Sequence, residues 1–384
     1  MSAKQQLRAF AAAGRDIALG RQLSTQSRET CDDLGAWARE HPETDFVELL
    51  PMWEFVREPP HTVERAVTDV YANQYTGSRR AKYQVRLRSA RIVSRDGLVV
   101  LPDGRYISES AYNRDVLQAT EEYALPRRRR IVRKSGRYVS LLVVWATGGN
   151  YYHWIHDALM RLFLVLDRVP EDTIFVVPEP LRDYQLASLE ALGVARERFA
   201  PFDGSETWEL EELLFTSATT NSGGDRPESS TWIRDRITAG LGIVVGPPQR
   251  RIYISRSEAR ERSVTNEDAV MGLLDRYGFE SHVLERLSFE AQVALFAGAE
   301  MVVGPHGAGL TNIFWSPPGT KVVDIVPRHR AEPAYIYWSL ADSLGHDYWY
   351  FLSDPVAAES TCPTHVPLDK LEATVEAMLS ASHA

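Results

Sequence analysis

The spacing of apolar residues changes along this chain, and each change predicts a different kind of structure. Near the start they recur at helical intervals, at Leu7, Phe10 and Ala11 and again at Leu34, Trp37 and Ala38. This spacing predicts peripheral helices within residues 1–45. From Asp45 to about Ile107 the period shortens to two. Residues 83–93 alternate, and 97–104 end on the turn signal Asp103-Gly104, which predicts a β-rich segment of short antiparallel strands.

From Val139 onward buried-strand and helix patterns alternate. Strands are expected over 141–146, 173–177 and 213–216, and helices over 152–168, 181–192 and 231–241. Gly246-Pro247-Pro248 reads as a linker. Beyond it come strands over 251–255, 282–284, 301–303, 321–326 and 348–352, with helices over 266–277, 288–297 and 334–344. The chain is therefore α/β, with two parallel-sheet domains facing a cleft. Expected boundaries are 1–45 for peripheral helices, 46–245 for a first domain and 246–355 for a second. Residues 356–384 are expected to form a C-terminal tail or helix.

The stretch around His306 carries the most specific chemistry. An apolar run, 301–303, is followed by Gly304, Gly307 and Gly309 around His306, and helical spacing resumes at Leu310. Strand, glycine turn and helix start together make an anion cradle, because the first N–H groups of a helix lack internal partners. The strand over 251–255 delivers Ser255 and Arg256 to the same sheet edge, where a guanidinium can bind two phosphate oxygens. A salt bridge from Arg256 to Glu258, Glu261 or Glu267 is the plainer alternative. Glu285 follows the next strand, where a carboxylate suits a ribose diol or the first turn of a helix.

The second informative stretch is 148–161. On its helix Ile155, Leu159, Leu162, Phe163 and Leu166 define an apolar face, while His153 and Asp157, four apart, can touch on the opposite one. A carboxylate beside an imidazole is how a general base is built, and spacing leaves open which of the two is the base. Asn150 and His156 are polar residues that an apolar helix does not need. Tyr152 and Trp154 offer aromatic faces to sugar rings or nucleobases.

The net charge of -9 argues against general nucleic-acid binding. Cys31 and Cys362 lie far apart, without zinc or disulfide spacing. The N-terminus lacks the apolar core of a signal peptide, and no apolar window reaches the length of a membrane span, so a cytoplasmic protein is expected. The run Arg127, Arg128, Arg129, Arg130 reads as a solvated loop or strand edge, or as a weak contact with an anionic glycan or membrane surface.

The segments NYYHWIHDALMRL, IYISR and VLERLSFEAQVALFAGAEMVVGPHGAGLTNIFW, in this order, resemble the family-61 glycosyltransferases over residues 139–326. The resemblance implies a GT-B-like fold, two Rossmann-like domains with a central cleft. It also implies inverting transfer from a nucleotide-sugar donor, UDP-linked, to a glycan or glycolipid, without a bound metal. His153 and Asp157 would then face the acceptor, with Asn150, Tyr152, Trp154, His156 and Arg161 around them. Arg256, His306, Gly307 and Ala308 would hold the diphosphate together with Ser255, Gly309 and Asn312, and Glu285 would sit near the ribose or uracil. A place in capsule, exopolysaccharide or lipopolysaccharide assembly, at the inner face of a membrane, follows from the same resemblance. The chain departs from the family at His156, where an apolar residue is usual, and at Met160, where Pro is common.

Two rival readings stay open. A dinucleotide-dependent oxidoreductase would use Gly307 and Gly309, but its third glycine is Asn312 and Asp324 lies inside the next strand. A non-catalytic glycan-binding subunit would keep the same fold without activity.

Overall fold

The computed structural model describes residues 29–65, 71, 74–124, 129–218, 226–259, 262–328, 335–356 and 363–381. Leu7, Phe10, Ala11, Arg127, Arg128 and Cys362 lie outside them, so the helices expected over 1–28 and half of the basic run do too. The chain divides into two units. The first takes 1–53, 79–182 and 195–221, and the second 54–78, 183–194 and 222–384.

The first unit is built on a ten-stranded mixed sheet among the described residues. Strand β1 (Lys82–Arg88) runs antiparallel to a long strand, Thr207–Thr216, and to Phe46–Leu50. Strands β2 (Ile131–Ser140), β3 (Ile174–Pro178), β4 (Phe199–Phe202) and β5 (Thr207–Thr216) are parallel, in the order β5-β2-β3-β4. The alternation over 83–93 thus becomes antiparallel structure as expected. Its apolar face, with Val85, Leu87 and Ile92, packs into one core with Leu210, Leu213 and Phe215.

Two expectations shift here. The strand expected over 141–146 lies earlier, at Ile131–Ser140, and 141–144 form a buried loop beyond its carboxyl end. The strand's first half alternates between exposed and half-buried, so it lacks a continuous apolar run. Part of the described basic run is tied into the structure. Arg129 bonds Glu122 and the Val93 carbonyl, whereas Arg130 and Arg133 are largely exposed, Arg133 bonding Glu209 at the surface.

The second unit holds a seven-stranded sheet among the described residues. Strands β6 (Arg250–Ile254), β7 (Phe279–His282), β8 (Ala299–Pro305), β9 (Lys321–Pro327) and β10 (Asp347–Pro355) are parallel, in the order β7-β6-β8-β9-β10. All seven residues of β9 are buried, the mark of a central parallel strand covered on both faces. The covering helices are α1 (Asp183–Ala191), α2 (Pro227–Gly240), α3 (Glu267–Asp275), α4 (Phe289–Phe296), α5 (Tyr335–Leu344) and α6 (Leu368–Ser380).

The second unit reaches further than the linker at 246–248 predicts. Helix α1 belongs to it because Gly240 of α2 lets the backbone approach closely; a Cβ there would meet the Ala191 carbonyl oxygen at 1.8 Å. The 54–78 segment joins it through the strand His61–Thr62, which pairs with β10. Helix α6 lies within the 356–384 segment expected to form a tail or helix, and its Leu371, Val375 and Met378 enter the second unit's core. Among the described residues no helix is long and apolar enough to cross a membrane.

Candidate active site

In the first unit, Asn150 caps the helical run that begins at Tyr151 by accepting the His153 N–H at 3.3 Å. The run tightens no further into a plain α-helix. Residues Trp154–Leu159 form a π-helical segment before α-helix resumes at Met160–Val165. Such widened turns are costly, and they occur preferentially at functional sites. This one carries His156 and Asp157.

His153 Nδ1 lies 2.6 Å from Asp157 Oδ2. Tyr112 donates its hydroxyl to the same carboxylate oxygen, and His156 Nδ1 stands 3.2 Å from the other one. Burial opposes ionisation of Asp157, but the hydrogen bonds from His153 and His156 outweigh it and hold the carboxyl well below its usual range. The Tyr112 hydroxyl is pushed far up by burial and by the Asp157 charge, so it stays a donor. The Asp157 side chain is 3% exposed and that of His153 18%, so the imidazole is the member of the pair that meets solvent. Trp145, held at φ 70°, sets its ring at a tilt against both, with centroids 5.0 Å from His153 and 5.1 Å from Tyr112.

The aromatic and polar residues expected around this pair take different places. Asn150 is exposed, whereas Tyr152, Trp154, His156 and Arg161 are buried, Trp154 and His156 completely. A side chain without exposed surface offers no face to a sugar. His156 stacks on Tyr152 with ring centroids 4.6 Å apart, and Arg161 reaches the Ser140 carbonyl. A cavity of about 630 Å³ opens elsewhere in the first unit, with Tyr112, Glu109, Arg80 and Arg114 on its wall.

In the second unit the carboxyl ends of β6, β7 and β8 share one sheet edge, with Ile254 opposite His282 and Tyr253 opposite Val303. Ser255, Arg256, Glu285 and the glycine turn leave from this edge, as the sequence predicts. The turn continues as a 3₁₀ helix, Ala308–Trp315, rather than an α-helix. Gly309 is needed for packing, since a Cβ there would press on Ile254 at 2.9 Å.

Two guanidiniums lie beside Gly307. A Cβ at that position would lie 3.4 Å from Arg256 Nη1 and 3.6 Å from Arg262 Nη1. Arg262 also donates to the His306 carbonyl at 3.1 Å, and Tyr337 donates to the Gly307 carbonyl at 2.7 Å. Two of the three carboxylates considered for Arg256 make the following bonds. Glu267 accepts the Arg256 backbone N–H at 2.6 Å and the Tyr253 hydroxyl at 3.1 Å, while Glu258 pairs with Arg286. Glu261 lies outside the described residues.

His306 is 4% exposed and its Nδ1 lies 2.8 Å from Asp324 Oδ2. Tyr348 donates its hydroxyl to the same oxygen at 2.8 Å. Ser255 is buried and bonds Ser257, and Ala308 is half-buried. Glu285 is exposed in the turn Leu284–Arg286. Asn312 is completely buried and bonds Gln292, the Gly309 carbonyl and Trp315, so it secures the turn from inside. Sequence reasoning did not find Tyr112, Arg262, Asp324, Tyr337 or Tyr348. Among the described residues, no three His, Cys, Asp or Glu converge as metal ligands.

The first unit thus holds an imidazole–carboxylate pair, and the second a glycine turn with two guanidiniums beside it. Residues 151–323 match the family model described as Glycosyltransferase 61. An EGF domain-specific O-linked N-acetylglucosamine transferase of Drosophila melanogaster is 32% identical over 114 residues, 28% of this chain and 21% of that protein. The xylan glycosyltransferase MUCI21 of Arabidopsis thaliana is 25% identical over 246 residues, 54% of this chain and 49% of that protein. The chain thus spans about a fifth and about half of the length of these relatives.

Proposed function

We propose that this chain is an inverting glycosyltransferase that moves a sugar from a nucleoside-diphosphate donor, UDP-linked, to a hydroxyl of a glycan or glycolipid. The observation that carries the reading is the His153–Asp157 contact within a segment that matches the glycosyltransferase 61 family model. Asp157 holds Nδ1, which leaves Nε2 of the more exposed imidazole to take a proton. His153 is therefore the base, and Asp157, steadied by Tyr112, orients it.

The acceptor hydroxyl gives its proton to His153 Nε2 as its oxygen forms a bond to the sugar's anomeric carbon. The bond from that carbon to the diphosphate breaks, and its electron pair leaves with the nucleoside diphosphate. Negative charge grows on the leaving group, and Arg256, Arg262 and His306 are the groups that stabilise it. These are cations and a ring donor rather than carboxylates, a set suited to binding phosphate directly and not through a metal ion. The division of labour is that of a GT-B enzyme, with acceptor activation assigned to the first unit and the donor to the second. Capsule, exopolysaccharide or lipopolysaccharide assembly at the cytoplasmic face is the setting proposed for it.

Release of UDP from UDP-sugars in EDTA tests this reading. The wild type should release UDP, and Asp157→Asn should bind UDP equally well but release almost none. Absence of release from every donor tried, with UDP still bound, would favour the silent glycan-binding subunit; tight NAD binding would favour the oxidoreductase.

A further inference from the structure

The two units carry the same small device, and in the second unit nothing has given it a task. In the first, Asp157 Oδ2 receives both His153 Nδ1 and the Tyr112 hydroxyl. In the second, Asp324 Oδ2 receives both His306 Nδ1 and the Tyr348 hydroxyl, each at 2.8 Å. Behind Tyr348 stands Tyr71, its hydroxyl oxygen 3.3 Å away.

Asp324 is an anomaly in its own element. It sits in the middle of β9, with no exposed surface, between Val323 and Ile325. A carboxylate in such a place is costly unless donors surround it. A parallel strand at this position needs only an apolar residue there, so packing does not explain Asp324. Register does relate it to the site. Gly304 pairs with Asp324 and Pro305 with Ile325, and the His306 N–H donates to the Ile325 carbonyl at 3.0 Å. The ring that follows the strand is thereby brought back over the neighbouring strand's carboxylate. Tyr337 packs edge-on against the same ring, with centroids 5.0 Å apart, and limits its rotation.

We infer that Asp324 and Tyr348 are positioning residues for the donor site: they place the proton on His306 Nδ1 and turn Nε2 toward the diphosphate of the nucleotide sugar. This rests on the proposed function for the identity of the ligand. An oriented carboxylate selects one imidazole tautomer and fixes the ring plane. The Tyr348 hydroxyl occupies the same carboxylate oxygen, which fixes the direction in which that oxygen faces the ring. The arrangement parallels the base of the first unit, but serves leaving-group binding rather than proton removal.

Inorganic pyrophosphate is the probe, since it requires neither a nucleobase nor a sugar. Its affinity is to be measured by calorimetry on the full chain for the wild type, Asp324→Asn, Tyr348→Phe and His306→Gln. Imidazole ¹⁵N spectra are recorded in parallel, with His306→Gln assigning the His306 signals. Asparagine can present its amide N–H to Nδ1, which favours the other tautomer. The expected result is a His306 Nδ1–H signal in the wild type that is lost in Asp324→Asn, with pyrophosphate bound about tenfold more weakly, the factor one charge-assisted hydrogen bond represents. Tyr348→Phe, which keeps the carboxylate, should show a smaller loss of about threefold. If Asp324→Asn does not fold, Tyr348→Phe carries the test through its own signal and affinity. Wild-type spectra in Asp324→Asn or Tyr348→Phe, with unchanged affinity while His306→Gln binds poorly, would overturn the inference and leave the proposed function standing. Wild-type protein that binds neither pyrophosphate nor UDP would instead count against the donor site itself.

Discussion

His153 turns its Nδ1 onto Asp157 Oδ2 at 2.6 Å, and this contact separates the roles of two residues that spacing alone leaves equivalent. Asp157 is buried and held ionised; His153 keeps one ring nitrogen for the substrate. His153→Gln should lower sugar transfer about 10²- to 10⁴-fold, the range a positioned general base supplies. Nucleotide affinity should stay within twofold, as judged by calorimetry beside a steady-state assay. A proportional loss of both would place His153 in the donor site instead.

The guanidiniums of Arg256 and Arg262 both lie beside Gly307. Removing either guanidinium, as Arg262→Ala or Arg256→Ala, should weaken UDP binding about ten- to a hundredfold, the range for hydrogen bonds to a charged group. The salt dependence of binding should also flatten. Circular dichroism of each variant separates this from misfolding.

Gly307→Ala offers a finer probe of the same place. Its backbone, at φ 167°, is extended and open to any residue, and a new Cβ would make ordinary contacts with the two guanidiniums. The melting temperature should therefore stay within a degree or two, while the methyl group occupies space meant for an anion and UDP affinity falls. Gly149→Ala should do the reverse. Its φ of 90° disfavours a side chain, and a Cβ would lie 1.9 Å from Arg182 Nε, so stability suffers first.

His346 makes a prediction about pH. Burial lowers its pKa to about 4, although its bond to the Ile313 carbonyl works the other way and the Arg234 charge lowers it further. The folded state therefore binds this proton less readily than the unfolded chain. Its contribution is fully present above about pH 6.5 and is lost as pH falls from there toward 4, reaching about 3 kcal/mol. Urea melts between pH 7 and 4 should show this loss, and His346→Gln, which keeps a donor for Ile313, should lose less over the same window. Equal slopes in both proteins would contradict the assignment.

Much of this site is legible in the sequence because two of its parts are local. The four-residue spacing of His153 and Asp157 fixes their contact, and the strand-then-glycine pattern puts Arg256, Glu285 and His306 on one sheet edge. The residues that escape notice come from elsewhere in the chain. Tyr112 lies 45 positions from Asp157 and reaches it from a residue with φ 72°. Asp324 reads as a polar interruption of a strand until register sets it beside Gly304. The π-helical turn leaves the apolar spacing nearly intact, so periodicity shows only a helix. Trp154 and Asn312 mislead for the opposite reason, since they look like ligands and are buried.

The central claim is that a nucleoside diphosphate binds at the glycine turn through protein cations. Calorimetric titration of UDP, GDP, CMP and NAD in EDTA, against the wild type and Arg262→Ala, tests it most directly. The account predicts that UDP binds the wild type in EDTA and that Arg262→Ala loses most of that affinity. NAD as the tightest ligand, or UDP binding that appears only when a divalent cation is added, would contradict it.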